Sequence, residues 1–221
     1  MTTLSTVISS VKRIVQDRSY SSNAVLLGFI NRAIGSIIGR VTPPSLIVID
    51  KEVEVFKGET SAKMPDDFFY PKIFMVRDSD GKQFDFSLSA SSIGKYIDAQ
   101  TVKRMANADR CYVIGNNFVI NEPAKEDMVF MVTYLASPAA LEEADIEEEI
   151  LSYLPQPFGE EAVTYLASAY IYGEIEDGLD GSGKNFMSNL AKAERAISEI
   201  SSIIGPMNLQ GRPETIEESI I

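Results

Sequence analysis

The segment from Gly178 to Asn185 is the part of this chain that most nearly matches a known chemical motif. It follows the pattern G-x-x-x-x-G-K-[ST], in which backbone amides and the lysine hold phosphates and the last hydroxyl binds Mg²⁺. Lys184 stands at the lysine position, but Asn185 replaces the hydroxyl residue. The residues before Gly178 also have a helical pattern, whereas a phosphate loop follows a strand. We therefore interpret the segment as a linker between two helices.

Two groups of carboxylates are the other candidates for chemistry. The run Asp78-Ser79-Asp80-Gly81 begins like a calcium loop, but no Asp or Asn stands two positions before it and no Glu closes it. Asp-Gly favours a tight turn, so we predict a hairpin there. Glu174, Glu176 and Asp177 are close enough in sequence to pair as acid and base, but helix carboxylates more commonly face solvent. Nearby tyrosines are predicted to be core and interface aromatics: Tyr165, Tyr170 and Tyr172.

The composition excludes several classes of site. The chain has 221 residues, with no histidine, no tryptophan and one cysteine, Cys111. The lack of histidine excludes a Ser-His-Asp or Cys-His nucleophile system and an HExxH zinc site. One cysteine excludes an internal disulfide and an iron–sulfur cluster, and its apolar neighbours predict a packed side chain. We predict no catalytic, cofactor-binding or metal-binding residue. A small enzyme using Mg²⁺ and carboxylates, with the 178–184 loop on phosphorylated substrates, stays open as the alternative.

The chain is acidic, with 20 Lys and Arg against 32 Asp and Glu and a net charge of −12. This balance argues against gripping DNA, because that affinity comes mostly from clustered basic residues. Residues 1–40 total +4, so the rest of the chain totals −16. Glu142 to Glu149 holds six carboxylates and no basic residue. We interpret this run as a solvated face, and contact with a basic partner, as in a generic protein-interaction module, is the alternative.

Neither a targeting segment nor a membrane segment is indicated. The first residues lack the basic stretch before a long apolar run that a signal peptide needs. No stretch approaches 18 consecutive apolar residues, so we predict no membrane span. The default expectation is therefore a cytoplasmic protein in a reducing compartment.

Helical periodicity marks both ends of the chain, and strand-like composition marks the middle. Two stripes with i, i+3, i+4 spacing occupy the first forty residues, and two more follow Pro157, the last ending at Gly205-Pro206. Residues 45–135 are rich in β-branched and aromatic residues. Strands are predicted on both sides of Asp78–Gly81, at 73–77 and 83–88, and on both sides of the turn at Gly115–Asn117. Three further predictions fall here: an alternating strand at 46–56, a short helix or crossover at 91–105 and a last strand at 128–135.

These elements predict an α+β fold. Residues 1–44 and 155–205 form one helical bundle, because each helical half needs a partner for its apolar face. Residues 45–154 form an inserted antiparallel β-rich domain that projects from the bundle. Residues 206–221 form an extended C-terminal tail, in which isolated apolar residues alternate with charged ones.

Several short pieces of sequence occur in a characteristic order. They are an Ile-Asn-Arg-Ala helix, a Pro-Asp-Asp-Phe turn, a Tyr…Gly-Asn hairpin, a Tyr strand, a Leu-Pro helix start and an Ile-Glu-Asp helix end: residues 30–33, 65–68, 112–120, 131–135, 154–155 and 175–177. By this order and spacing, over roughly residues 3–200, the chain resembles the adaptor proteins of tailed bacteriophages. These are the head-to-tail connectors that dock under the portal.

The resemblance implies a structural virion protein without catalytic residues. It implies a bundle-plus-insert subunit that forms a ring, usually of twelve copies, between the portal protein and a tail or nozzle protein. DNA would pass through the channel of this ring without specific binding, and assembly would take place in the host cytoplasm. In such adaptors the C-terminal segment often embraces the portal. The implied portal-docking residues are therefore in the tail: Leu209, Arg212, Ile216, Ile220 and Ile221.

Overall fold

Helices at both ends of the chain and two β-sheets between them make up the computed structural model, which confirms the predicted α+β class. The structure describes residues 2–83, 85–88, 110–120, 122–176 and 183–205. Within these residues the helices are α1 (Leu4–Val15), α2 (Asn23–Val41), α3 (Phe158–Ile175) and α4 (Lys184–Ile204). The strands are β1 (Ile47–Val55), β2 (Ser61–Lys63), β3 (Phe68–Asp78), β4 (Asp85–Leu88), β5 (Arg110–Ile114), β6 (Asn117–Ile120) and β7 (Met128–Ala136). The predicted helix at 91–105 lies outside the described residues.

The helix α3 is the centre of the bundle, and the other helices pack around it. Its buried residues extend around most of its circumference and include Val163, Leu166 and Ala169. A helix that is buried over most of its surface belongs in a core, whereas α1 carries a single buried stripe. The hydroxyl of Tyr172, near the C-terminal end of α3, donates to the carbonyl of Ile14 at 3.0 Å, so α1 and α3 end side by side.

By length and composition, α2 is the one helix among the described residues that is long and apolar enough to cross a membrane. Half of the relevant window is buried inside the bundle. Its polar residues Asn31, Arg32 and Arg40 each contact another element of the fold. A core helix of a globular protein satisfies the same criterion, and we interpret α2 as such a helix.

The strands form two sheets, with the orders β1-β7-β3 and β2-β6-β5-β4. The hairpin predicted at Gly115–Asn117 is confirmed: Ile114 pairs with Asn117 across a two-residue loop, and Gly115 has a φ of 59°. The partner predicted for residues 83–88 was wrong. Among the described residues after the turn at Asp78–Gly81, one bridge, Arg77 to Gln83, joins the two segments. β4 then pairs in parallel with β5, because a turn signal specifies the chain reversal and not the strand that is paired afterwards.

The strand β7 links two hydrophobic cores, because successive side chains of a strand point to opposite faces. Phe130 and Tyr134 lie in the core between the two sheets, while Leu135 lies in the core of the bundle. The insert also contacts the bundle at α2, where a Cβ on Gly39 would lie 3.3 Å from the ring of Phe69. The bundle core therefore extends into the β-rich segment, and the predicted domain limits stay a prediction.

Candidate functional site

The segment that resembles a phosphate loop joins two helices. Residues 178–182 lie outside the described residues, the element before them is α3, and Lys184 is the first residue of α4. The carboxylate of Glu176 accepts hydrogen bonds from the backbone amides of Asn185 and Phe186, at 3.2 and 3.1 Å. Free amides and a positive dipole at a helix start attract anions, and here a side chain of the chain itself supplies the anion. This arrangement supports the linker interpretation over phosphate binding.

The carboxylates considered for metal or acid–base chemistry are engaged elsewhere. Asp78 accepts from the amides of Asp80 and Lys82, at 3.0 and 2.8 Å, so it stabilises its own turn. Glu174 accepts from the hydroxyl of Tyr20 at 3.3 Å, while Glu176 caps α4. Asp177 lies outside the described residues. Within the part of the chain that the structure describes, no group of three or more His, Cys, Asp or Glu residues is placed to hold a metal ion.

The three tyrosines of α3 lie at helix interfaces, as the sequence predicts. The Arg32 guanidinium lies 4.3 Å from the ring centroid of Tyr170, and the Lys192 ammonium lies 5.0 Å from that of Tyr165. Burial raises the pKa of Tyr172, and the nearby carboxylates of Glu176 and Asp17 raise it further. Its hydroxyl is therefore a hydrogen-bond donor and not an acid at neutral pH. The buried Cys111 is likewise a packed residue, as predicted.

The acidic strap, residues 142–149, crosses the start of α1. The carbonyls of Ile146 and Glu148 accept from the amides of Ser5 and Leu4, at 2.9 and 3.4 Å. These amides lie in the first turn of α1, where backbone N–H groups have no hydrogen-bond acceptor within the helix. The side chains of residues 147–149 remain exposed. The strap thus uses its backbone to hold the bundle and presents its carboxylates to solvent, in agreement with the predicted solvated face.

Asn31 anchors the strap to α2, a role that the sequence pattern does not reveal. Its side-chain amide donates to the carbonyl of Leu141 at 3.0 Å, and its side-chain oxygen accepts from the amide of Leu141 at 2.9 Å. The two hydrogen bonds satisfy both backbone groups of one residue that lies 110 positions away. Asn31 is one of several polar residues in a mainly apolar helix, so the sequence does not single it out.

A second such arrangement lies on β1, where the pairing with β7 is irregular between Val48 and Lys51. Asp50 has a φ of 54°, which is unusual for a residue other than glycine. Its carboxylate accepts from the guanidinium of Arg77, with Nε to Oδ1 at 3.1 Å, and its amide donates to the hydroxyl of Thr133 at 3.3 Å. This bulge leaves the side chain of Ile49 72% exposed.

The Pro-Asp-Asp-Phe turn leads from β2 into β3 and contacts β7 through its side chains. The amide of Phe68 donates to the carbonyl of Pro65 at 3.0 Å, which closes the turn. The hydroxyl of Tyr134 donates to Asp67 at 2.6 Å, and the Phe68 ring meets the Tyr134 ring edge to face at 5.7 Å. Burial raises the pKa of Tyr134 well above its usual value, and Asp67 adds to this shift. The phenol therefore stays protonated and serves as a structural donor.

The portal-docking residues that the family resemblance implies belong to the tail, residues 206–221, which lies outside the described residues. The last described element is α4, which ends at Ile204 and is followed by Gly205 with a φ of 75°. This position agrees with the predicted glycine stop of the helix.

One comparison with known proteins matches almost the whole chain. The family model described as SU10 adaptor protein matches residues 2–212. The match spans the bundle, both sheets and the first part of the predicted tail, including Leu209 and Arg212. No curated protein matches the chain.

Proposed function

The chain belongs to the SU10 adaptor protein family, and on that premise we propose that it forms the ring between the portal and the tail of a bacteriophage. The family makes it a structural component of a virion and a phage head-to-tail adaptor. The finer proposal is a ring of twelve copies that joins the DNA-filled head to the tail or nozzle and provides a channel for genome passage. Its parts would assemble in the host cytoplasm.

The observation that carries this proposal is the family match over residues 2–212. The structure supports it physically, because the polar groups considered for chemistry serve the fold. Glu176 accepts from the two amides of Asn185 and Phe186 at the start of α4, and Asp78 accepts from amides of its own turn. A carboxylate enzyme with Mg²⁺ gains no support from this geometry, and we propose a non-enzymatic role.

The charge of the chain suits a conduit for DNA. A ring of twelve copies would carry twelve times −12, or −144. An acidic channel repels DNA phosphates, so the genome could slide past without adhering. The strap at 142–149, whose carboxylates face solvent, is one source of this field.

We assign portal docking to the tail. Residues 206–221 follow α4 in the sequence, after the glycine that ends this helix. Isolated apolar residues without a core of their own gain most by burial against another protein. The proposed contacts are those expected from the sequence: Leu209, Arg212, Ile216, Ile220 and Ile221.

The experiment that tests the proposal is loss of this chain from the phage that encodes it. We expect DNA-filled heads without attached tails by electron microscopy, and restoration of tailed particles when the full chain is supplied in trans. A chain with Leu209, Ile216, Ile220 and Ile221 all changed to Asp is expected to fold but not to restore tails. Normal tailed particles in the absence of the chain would contradict the proposal.

A further inference from the structure

Part of the three-stranded sheet lies outside both hydrophobic cores that the described residues form. Glu52 lies opposite Met131 and Glu54 lies opposite Val129 in the β1–β7 register, so these four side chains share one face. The glutamates are exposed, and Met131 and Val129 are half-buried. The exposed Ile49 stands at the same edge of the sheet. We call these five residues the sheet face.

The bulge holds Ile49 outward. Asp50 is kept at its unusual φ by Arg77 and by the hydroxyl of Thr133. A large apolar side chain that is 72% exposed on a braced strand loses little further conformational freedom when it is buried by a partner. Ile49 is therefore suited to be the centre of a contact.

The outer side of α4 is uncovered and has the opposite charge. Ala193, Ile197 and Ile200 face the bundle core, so the residues on the other side of the helix face away from it. Lys184 and Arg195 lie there about three turns apart, and Met187, one turn after Lys184, is 57% exposed. We call Lys184, Met187 and Arg195 the helix face.

The charges of both faces are available for a partner. The salt bridges among the described residues are Arg40–Glu194, Lys63–Asp66 and Arg77–Asp50. Glu52, Glu54, Lys184 and Arg195 form none of them. On the sheet face Arg77 is paired with Asp50, which leaves the carboxylates of Glu52 and Glu54. On the outer side of α4 the basic residues Lys184, Lys192 and Arg195 outnumber the exposed Glu199. The exposed charge is therefore mainly acidic on the sheet face and mainly basic on the helix face.

We infer that the sheet face of one copy docks on the helix face of the next copy, with Ile49 and Met187 at the centre and the charges around them. Contacts between two different surfaces of the same chain are heterologous, and they generate a closed ring when the rotation between neighbouring copies closes. Complementary charges at the rim select this register and speed the encounter. The inference rests on the proposed ring, and it names the surfaces that would build it.

The test measures self-association of the full chain by sedimentation velocity over a range of concentrations, at low and at high salt. We expect oligomers that weaken as salt rises, because rim charges are screened. In E52K/E54K the sheet face becomes basic like the helix face, and in K184E/R195E the helix face becomes acidic like the sheet face. Because the two faces then repel each other, each variant is expected to associate more weakly by about tenfold or more. Association is expected to return in an equimolar mixture of the two variants and in the fourfold variant, where the faces are complementary again.

Matched controls carry the same change in net charge at other exposed positions. E59K/E126K and K57E/K125E are expected to associate like the unchanged chain. The inference is overturned if the unchanged chain does not self-associate, if the face swaps associate normally, or if the mixture and the fourfold variant do not recover. If both face-swap variants form rings on a portal as readily as the unchanged chain, the inference is overturned and the proposed function is left intact.

Discussion

Arg77 on β3 and Asp50 on β1 form an ion pair that reaches over the central strand β7. Arg77 lies opposite Met131 of β7, and the amide of Asp50 donates to Thr133 of the same strand. The pair therefore ties together the two outer strands of the sheet. It also stabilises a left-handed backbone conformation at a residue that is not glycine.

Removing the Arg77–Asp50 ion pair is expected to lower the free energy of unfolding modestly. Both side chains are partly exposed, so we expect R77M to lower the free energy of unfolding by about 1 kcal/mol. In a double-mutant cycle with D50N, urea unfolding is expected to give a coupling energy of about 0.5–1 kcal/mol. The more exposed Lys63–Asp66 pair is the control, and K63M is expected to have little effect. A coupling energy of zero between Arg77 and Asp50 would contradict the bracing role.

Loss of the Asn31 side chain is expected to release the acidic strap. N31A removes two hydrogen bonds and leaves the partly buried backbone groups of Leu141 unpaired, so a loss of about 2 kcal/mol in unfolding free energy is expected. Cleavage after glutamate in residues 142–149 by a Glu-specific protease should accelerate as well. N185A, at an exposed position of α4, is the control. Unchanged stability and cleavage in N31A would rule out the anchor.

Two glycines in helices are expected to respond oppositely to alanine. A Cβ at Gly159 would lie 2.8 Å from the Cβ of Leu154, so G159A forces a backbone shift. A Cβ at Gly28 meets nothing within 4 Å, so the only expected effect of G28A is the higher helix propensity of alanine. This should raise the free energy of unfolding by about 0.5–1 kcal/mol. Thermal unfolding should show a lower Tm for G159A and a higher Tm for G28A. Equal shifts in the two variants would disprove the close contact at Gly159.

Alkaline pH is expected to destabilise the fold through Tyr134. Its folded pKa is raised by burial and by Asp67, so the folded state keeps a proton that the unfolded state loses above a pH of about 10. Stability from this group is therefore present below pH 10 and is lost as the pH rises, with a slope of up to about 1.4 kcal/mol per pH unit. Burial raises the pKa of Tyr153 to about 12, which acts in the same direction.

The measurement is urea unfolding between pH 9 and 11, compared for the unchanged chain and Y134F. The variant should be less stable at pH 8, because it loses the hydrogen bond to Asp67, and less sensitive to rising pH. An identical pH dependence in Y134F would show that the phenol is not held neutral by the fold.

The order of elements follows from local patterns that the sequence displays. Apolar periodicity locates the helices, and the Gly115-Asn116 turn specifies its hairpin, because both depend on residues close together in the chain. The apolar stripe after Pro157 predicts that α3 is a helix, but its central position in the bundle is not apparent from the sequence, because it depends on how the other helices pack around it. The family resemblance was visible from the order of short motifs, and the family match confirms it.

The features that brace the candidate surfaces depend on distant residues. Asp50 takes up its conformation because Arg77 and Thr133 reach it from other strands, and no local signal indicates this. Asn31 binds a residue 110 positions away, and β4 finds its partner in the second sheet. Turn and periodicity rules specify local geometry, whereas these contacts are decided by the packing of the whole fold.

Truncation before the tail is expected to separate folding from docking. A chain of residues 1–205 keeps α4 and its glycine stop, so its Tm should match that of the full chain. Its affinity for the portal of the same phage should fall below detection if the tail carries the contact. Portal binding by the 1–205 chain as tight as that of the full chain would move the docking site out of the tail.

The most direct test of the central claim is native mass spectrometry of the full chain mixed with the purified portal of its phage. The account predicts a complex heavier than the portal by twelve times the chain mass of 24.3 kDa, with a ring at one end of the portal in electron micrographs. A chain that leaves the mass of the portal unchanged would contradict the adaptor ring.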